Sequence, residues 1–218
     1  MTTDPTIDYH LTELERARHV ASTHYAMPEF LDTDQAILDI GCGIGQTFVA
    51  SEKIHGKLLV GLDVNLKCLD YGRSQFDYIE YVHGSAEHLP FRGQAFDLVI
   101  ARVSLPYTDI YHSVSDAHRV LKTNGRVWLT LHPFSMTMKE LIHAIAQFDV
   151  KEIVLRSYVL IHGVIFHLFG KQFSLFNKRY ESFQTIGRMR RVMKYAGFQD
   201  VFVGMRDGRF MVTGRKVG

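Results

Sequence analysis

Cysteine is scarce in this chain. Cys42 and Cys68 are the only two among 218 residues. That is too few for a disulfide framework, and a reduced, cytoplasmic setting is the expectation. Excess charge is equally scarce: 25 Lys and Arg face 23 Asp and Glu, and a formal net charge of +2 does not by itself imply nucleic acid. Long apolar runs are missing as well. The most apolar stretch, Ser157 to Gly170, contains two histidines and is too short to span a bilayer, so no membrane partner is expected. Met1 to Tyr9 is polar and partly acidic, unlike a signal peptide. There is no internal repeat and no low-complexity segment. The 12 histidines invite a metal reading. However, His83 and His88, like His162 and His167, are spaced five apart, which suits neither adjacent helical turns nor a zinc spacing, so no metal site is expected.

What is present is a glycine turn. Ile37-Leu38-Asp39-Ile40 reads as a buried strand carrying one acid, and it feeds into Gly41-Cys42-Gly43-Ile44-Gly45. Glycines at alternate positions let the backbone turn tightly and approach a ligand closely. Residues from Gln46 to Glu52 then open a helix toward that turn. A dinucleotide fingerprint needs its third glycine three positions after the second, whereas here it comes two after Gly43. No Gly-Lys-Ser/Thr follows, which removes a P-loop. A second apolar strand, Leu58 to Leu62, ends in Asp63, an acid placed to accept from a ribose diol. Cys42, between glycines, reads as a small apolar filler rather than a nucleophile.

The pattern D-x-G-x-G-x-G after a strand resembles motif I of the class I S-adenosylmethionine-dependent methyltransferases. Gly84-Ser85-Ala86-Glu87-His88-Leu89-Pro90-Phe91 resembles the G-D-A-E-x-L-P-F element of their quinone-biosynthesis-like branch. Phe96 to Arg102 is similar to the family's fourth strand. Asp116 to Val127 is similar to its helix, turn and fifth strand, with Asn124 tolerating the left-handed turn geometry. Ala196-Gly197-Phe198 is similar to its final helix ending. The resemblance covers roughly residues 35 to 132 and 183 to 216. It implies S-adenosylmethionine as cofactor, held by Asp39, Gly41, Cys42, Gly43, Asp63, Val64, Ser85, Ala86, Glu87 and Ala101. In that set Asp39 faces the amino group, Gly41 and Gly43 pass beneath the carboxylate and ribose, and Asp63 takes the ribose hydroxyls. Ser85 and Ala86 meet the adenine, with Ser85 standing where the family has Asp. Ala101 to Val103 form a wall near the methionine end.

The alternation of strands and helices over 36–132 requires a parallel sheet with right-handed crossovers. The resemblance implies an α/β, Rossmann-like, seven-stranded, mostly parallel sheet of order 3-2-1-4-5-7-6. Its antiparallel final strand falls at about Arg209 to Arg215, and a cap is inserted after strand 5. The chain is read as one methyltransferase domain over 1–218. After a loose tail at 1–8, a covering helix runs from 10 to 31 and ends near Pro28.

An inserted substrate-cap region spans 133–182, longer than such a connection needs. Met136 to Phe148 is helix-like, while Glu152 to Phe169 fits either extra strands or a second helix. Phe134, Phe148, Tyr158, Phe166, Phe169, Phe173, Phe176, Tyr180 and Phe183 make the region aromatic. These side chains are read either as a cap favouring an apolar or aromatic acceptor, or as the insert's own core or a homodimer surface.

Three residues are the catalytic candidates. His132, directly after strand 5, reads either as a general base for a hydroxyl or an acidic carbon or as a hydrogen-bonded histidine of the rim. Tyr107 and Arg102 orient the acceptor. Arg102-Val103-Ser104-Leu105-Pro106-Tyr107 lacks the N-P-P-Y or D-P-P-Y of amide and adenine N-methyltransferases. The function expected is methyl transfer to a carbon or oxygen of a small, apolar or aromatic molecule. The alternatives are an RNA-directed methyltransferase using Arg188 to Lys194, and a cofactor-binding protein without catalysis. The helical spacing of Arg188 to Lys194 reads first as a solvated face. Asp97 reads as a structural acid.

Overall fold

Every residue of β1 (Ala36–Ile40) is buried, as expected of a central strand with both faces covered. In the computed structural model, which describes residues 4–18, 27–51, 54–173 and 180–218, β1 pairs in parallel with β2 (Leu58–Asp63) and β4 (Phe96–Arg102). Outward from β2 lies β3 (Glu80–His83). Outward from β4 lie β5 (Leu121–Leu131), β7 (Arg209–Arg215) and β6 (Gln199–Arg206). The seven-stranded order is β3-β2-β1-β4-β5-β7-β6, with β7 antiparallel to both neighbours. Strand order, the direction of each pairing and the Arg209–Arg215 strand all match the sequence expectation.

Alternation along β1 splits the core. Leu38 and Ile40 join the side built with α4 (Ile110–Val120) and α7 (Ile186–Ala196), through Val114, Ala117, Met189 and Val192. Ile37 joins the opposite side with Phe48, Leu69, Ile100 and Trp128, beneath α2 (Gln46–Val49) and α3 (Leu66–Gln75). Asn124 adopts the left-handed backbone (φ 65°) that the resemblance anticipated. Gly197 (φ 95°) ends α7 and lets Phe198 N–H donate back to Met193 O at 3.0 Å. Asp97 ties strand ends together by accepting from Gln35 N, Ala36 N and Lys122 Nζ, which is the structural role expected of it.

The amino-terminal helix differs from its expected bounds. α1 spans Pro5–Arg18, so 5–8 are helical rather than loose, and 27–31 are not helical. The start is set locally: Asp4 accepts from Thr6 N at 3.0 Å, and Pro5 supplies a helical φ at the first position. Residues 19–26 of the expected helix lie outside the described residues.

The insert is a helical hairpin of α5 (Phe134–Ala146) and α6 (Val150–Phe169), which settles the strand-or-helix alternative. The β-branched content of α6 favours strand, but its ends favour helix. Asp149 caps it by accepting from Glu152 N, and Gly170 (φ 70°) closes it. Arg156 also pairs with Glu152 one turn back at 3.0 Å. With 20 residues and an 18-residue stretch of mean hydropathy 1.5, α6 has the length and composition of a membrane-crossing helix, beyond the shorter run read from the sequence.

Candidate active site

The strand order reverses between β1 and β4, and their carboxyl ends open the crevice where α/β sheets bind ligands. Gly41 (φ 73°) and Gly43 (φ 56°) both occupy backbone conformations that other residues resist. A Cβ on Gly41 would collide with Ser104, and one on Gly43 would sit 2.5 Å from the His10 ring. The turn therefore packs against β4's end on one side and α1 on the other.

Asp39 is the outstanding group. It is 1% exposed, and both carboxylate oxygens lack a hydrogen-bond partner among the described residues. Burial pushes its carboxyl up to about 7. The Thr47 hydroxyl, short of hydrogen-bond geometry, and the Arg102 charge pull it down, while Asp63 adds to the rise. A ligand that brings a cation or a strong donor supplies what this carboxylate lacks. Asp63 accepts from Gly43 N at 2.8 Å and from Asn65 N at 2.9 Å, which fixes the acid at the rim of the turn. Val64 beside it is exposed.

Along the next loop, Ser85 Oγ donates to Glu87, whose other oxygen accepts from Asp109 N at 3.1 Å. Ala86 is buried in the core. Cys42 fills space against Gly61, and burial raises its thiol, in keeping with a packing role. Ala101 is fully buried, so it backs the crevice from within β4.

The three catalytic candidates do not all come together. His132 and Tyr107 do: their rings meet edge to face at 5.6 Å between centroids. His132 is held through its backbone, its N–H donating to Gln184 Oε1 (3.1 Å) and its carbonyl accepting from Gln184 N (2.8 Å). Burial, then the Arg156 charge from α6, lowers its imidazole to about 4, so the ring is neutral and an acceptor at physiological pH. Arg102 belongs to the donor side instead. Its guanidinium meets Glu13 of α1 at 3.6 Å and its charge reaches Asp39.

Three further residues shape the site without a signal in the sequence. His10 of α1 accepts at Nδ1 from the Gln46 side-chain amide (3.1 Å) and lies over Gly43. Ser104 Oγ donates to Ile40 O at 2.5 Å, locking β4's end onto β1. Val103, between Arg102 and Ser104, has φ 62°, a costly conformation for a β-branched residue.

The insert's aromatics divide. Phe166 is fully buried against Tyr111, Phe134 packs on Phe183, and Phe173 meets His162. Phe148 and Phe169 point to solvent, and Phe176 lies outside the described residues. Arg188, expected on a solvated face, is buried and donates to His167 O, while Arg190, Arg191 and Lys194 are exposed. Among the described residues no three His, Cys, Asp or Glu side chains converge as a metal site.

Comparison with known proteins agrees with this architecture. Residues 38–129 match the family model described as a methyltransferase domain. The demethylmenaquinone methyltransferase of Chlorobaculum parvum is 30% identical over 113 residues, covering 50% of this chain and 47% of that enzyme. The chain thus matches about half the length of that relative. The demethylmenaquinone methyltransferase of Staphylococcus epidermidis is 28% identical over 181 residues, 76% of this chain and 68% of that enzyme. A S-adenosylmethionine-dependent methyltransferase of Methanosarcina mazei superposes with a TM-score of 0.57 at 18% identity, covering 86% of this chain and 95% of its own. With the sheet order, the glycine turn and the two acids already in place, the match over residues 38–129 identifies a methyltransferase domain, and the fold is the one shared by S-adenosylmethionine-dependent methyltransferases.

Proposed function

We propose that the protein transfers a methyl group to a carbon or oxygen atom of a small, apolar or aromatic acceptor lying against His132 and Tyr107. The observation that carries this reading is the meeting of His132, at the carboxyl end of β5, with the Tyr107 ring edge-on to it; an imidazole held near 4 is neutral but weakly basic, so it suits an acceptor whose proton is already acidic. The two relatives named for demethylmenaquinone support a small-molecule acceptor.

The bound cofactor supplies a methyl group already activated on a sulfonium sulfur, so alignment and exclusion of water are the protein's main tasks. Asp39 takes the ammonium end, with Gly41, Cys42 and Gly43 as the backbone beneath it. Asp63 and Val64 hold the ribose end, and Ser85, Ala86 and Glu87 the adenine end. Ala101 backs the crevice. On the acceptor side His132 removes a proton, Tyr107 packs against the acceptor ring, and the α5–α6 hairpin closes the wall. Arg102 acts through Asp39 and Glu13 rather than on the acceptor.

The pH profile tests the division of labour. A base must be unprotonated, and His132 stays so well above its value of about 4. Turnover at saturating cofactor is therefore expected to stay flat from about pH 8 to about pH 6. The KM for cofactor rises below neutrality, because Asp39, at about 7, takes up a proton and loses its attraction for a cation. His132→Gln should keep cofactor affinity and lower kcat about 100-fold. Labelled methyl transfer to a panel of hydroquinones and phenols reads both quantities. Unchanged kcat in His132→Gln removes the base. Tight cofactor binding with no transfer to any acceptor supports the non-catalytic alternative.

A further inference from the structure

Charge is segregated along this nearly neutral chain. Residues 153–199 hold eight Lys or Arg against one acid, while the rest holds 17 against 22. That one acid, Glu181, is buried and lies 3.5 Å from Arg156. The insert's other acids sit at the opposite end of the hairpin. Asp149 caps α6, and Glu140 and Glu152 pair with Arg156. Lys171, Arg190, Arg191 and Lys194 are exposed and pair with no acid among the described residues.

The same region carries a large apolar surface. Val150, Val154, Ile161, Val164 and Leu168 recur at helical spacing on one face of α6, and all are exposed, Ile161 by 62%. Phe148 at the hairpin tip is 87% exposed and Phe169 at the other end of α6 is 70% exposed. Isolated apolar residues on a surface are ordinary, but a contiguous patch of this kind marks a contact surface. The two features adjoin. Arg188, at the start of α7, donates to His167 O at the end of α6, so the helix that carries the exposed cations begins beside the end of α6 that carries Leu168 and Phe169. Tyr195, one turn beyond Arg191, is exposed and packs edge-on against Tyr111.

We propose that the exposed face of α6 and the basic side of α7 together dock on an anionic lipid bilayer. The apolar side chains enter the acyl boundary, and the cations meet lipid phosphates. α6 lies on the membrane rather than spanning it, because Val159, His162, Gly163 and Phe166 hold its other face against the domain. An apolar stripe interrupted only by Ser157, with unpaired cations beside it, is complementary to an anionic bilayer, which takes apolar side chains in any register. This revises the sequence expectation of no membrane partner, and it stands whatever the acceptor proves to be.

The test is co-sedimentation of the full chain with phosphatidylcholine vesicles, with and without phosphatidylglycerol. Binding is expected with phosphatidylglycerol, at least about tenfold stronger than without it, and largely lost in about 0.5 M salt. An Ile161→Glu, Leu168→Glu double variant should abolish binding, and an Arg190→Glu, Arg191→Glu variant should erase the preference for anionic lipid. Cofactor titration and circular dichroism confirm that both variants are folded. Failure to bind either vesicle overturns the proposal, as does binding indifferent to the apolar substitutions or to lipid charge. Self-association that Ile161→Glu abolishes, without vesicle binding, assigns the face to a second copy and overturns it too.

Discussion

Asp39→Asn is expected to stabilise the ligand-free protein above neutral pH while weakening its hold on the cofactor. The carboxyl's folded pKa of about 7 lies above its usual 3.8, so the native state prefers the protonated form. No penalty exists below the lower value. It grows as pH rises between the two, and above about 7 it reaches up to about 4 kcal/mol. Asparagine keeps the shape and removes the charge, so denaturant unfolding at pH 8 should show a gain that vanishes at low pH. Cofactor affinity should fall roughly 10- to 100-fold, the loss of a charge-assisted contact. Calorimetric titration in buffers of differing ionisation enthalpy should also show proton release when the native protein binds near neutrality. A less stable Asp39→Asn protein at pH 8 would mean that the carboxylate has a partner in the native state.

Gly163→Val should damage turnover and stability while sparing the donor site. Gly163 lies on the buried side of α6, and any Cβ there would run into the Phe183 ring. Phe183 precedes Gln184, whose side chain and backbone both hold His132. Displacing that segment costs about 3 kcal/mol by overpacking, and a shift of His132 on the order of 1 Å lowers kcat about 100-fold. The Kd for cofactor should be unchanged, since Asp39, Asp63 and the glycine turn are built from β1 and β2. Equal losses of kcat and cofactor affinity would show that the two halves of the crevice are not separable.

The donor half was legible because its residues are local in sequence. Gly41, Gly43 and Asp63 announce a tight turn and an acid at a strand tip, and the alternation of elements fixes the sheet around them. The acceptor half depends on contacts distant in the chain, and there the sequence is weaker. Nothing near Arg102 shows that its charge will be met by Glu13, nor does the spacing around His132 announce the double clamp from Gln184. α6 was ambiguous because β-branched content and helical caps point opposite ways, and packing of Gly163 and Phe166 decided between them. Composition left Phe148 and Phe169 open between a cap lining, the insert's own core and a homodimer surface; both face outward, a property of hairpin orientation that no local pattern encodes.

The position of His10 over Gly43 has a kinetic side. Across the turn α1 makes a hydrogen bond with Gln46 and an ion pair with Arg102, at 3.1 and 3.6 Å, beside buried Leu14 and Ala17 and the Lys67–Asp4 pair at its start. Exchange of spent for fresh cofactor past Gly43 is expected to require these contacts to part, which would make the helix a clock on turnover. His10, outside every motif of the donor site, is thereby expected to influence the pace at which the crevice empties.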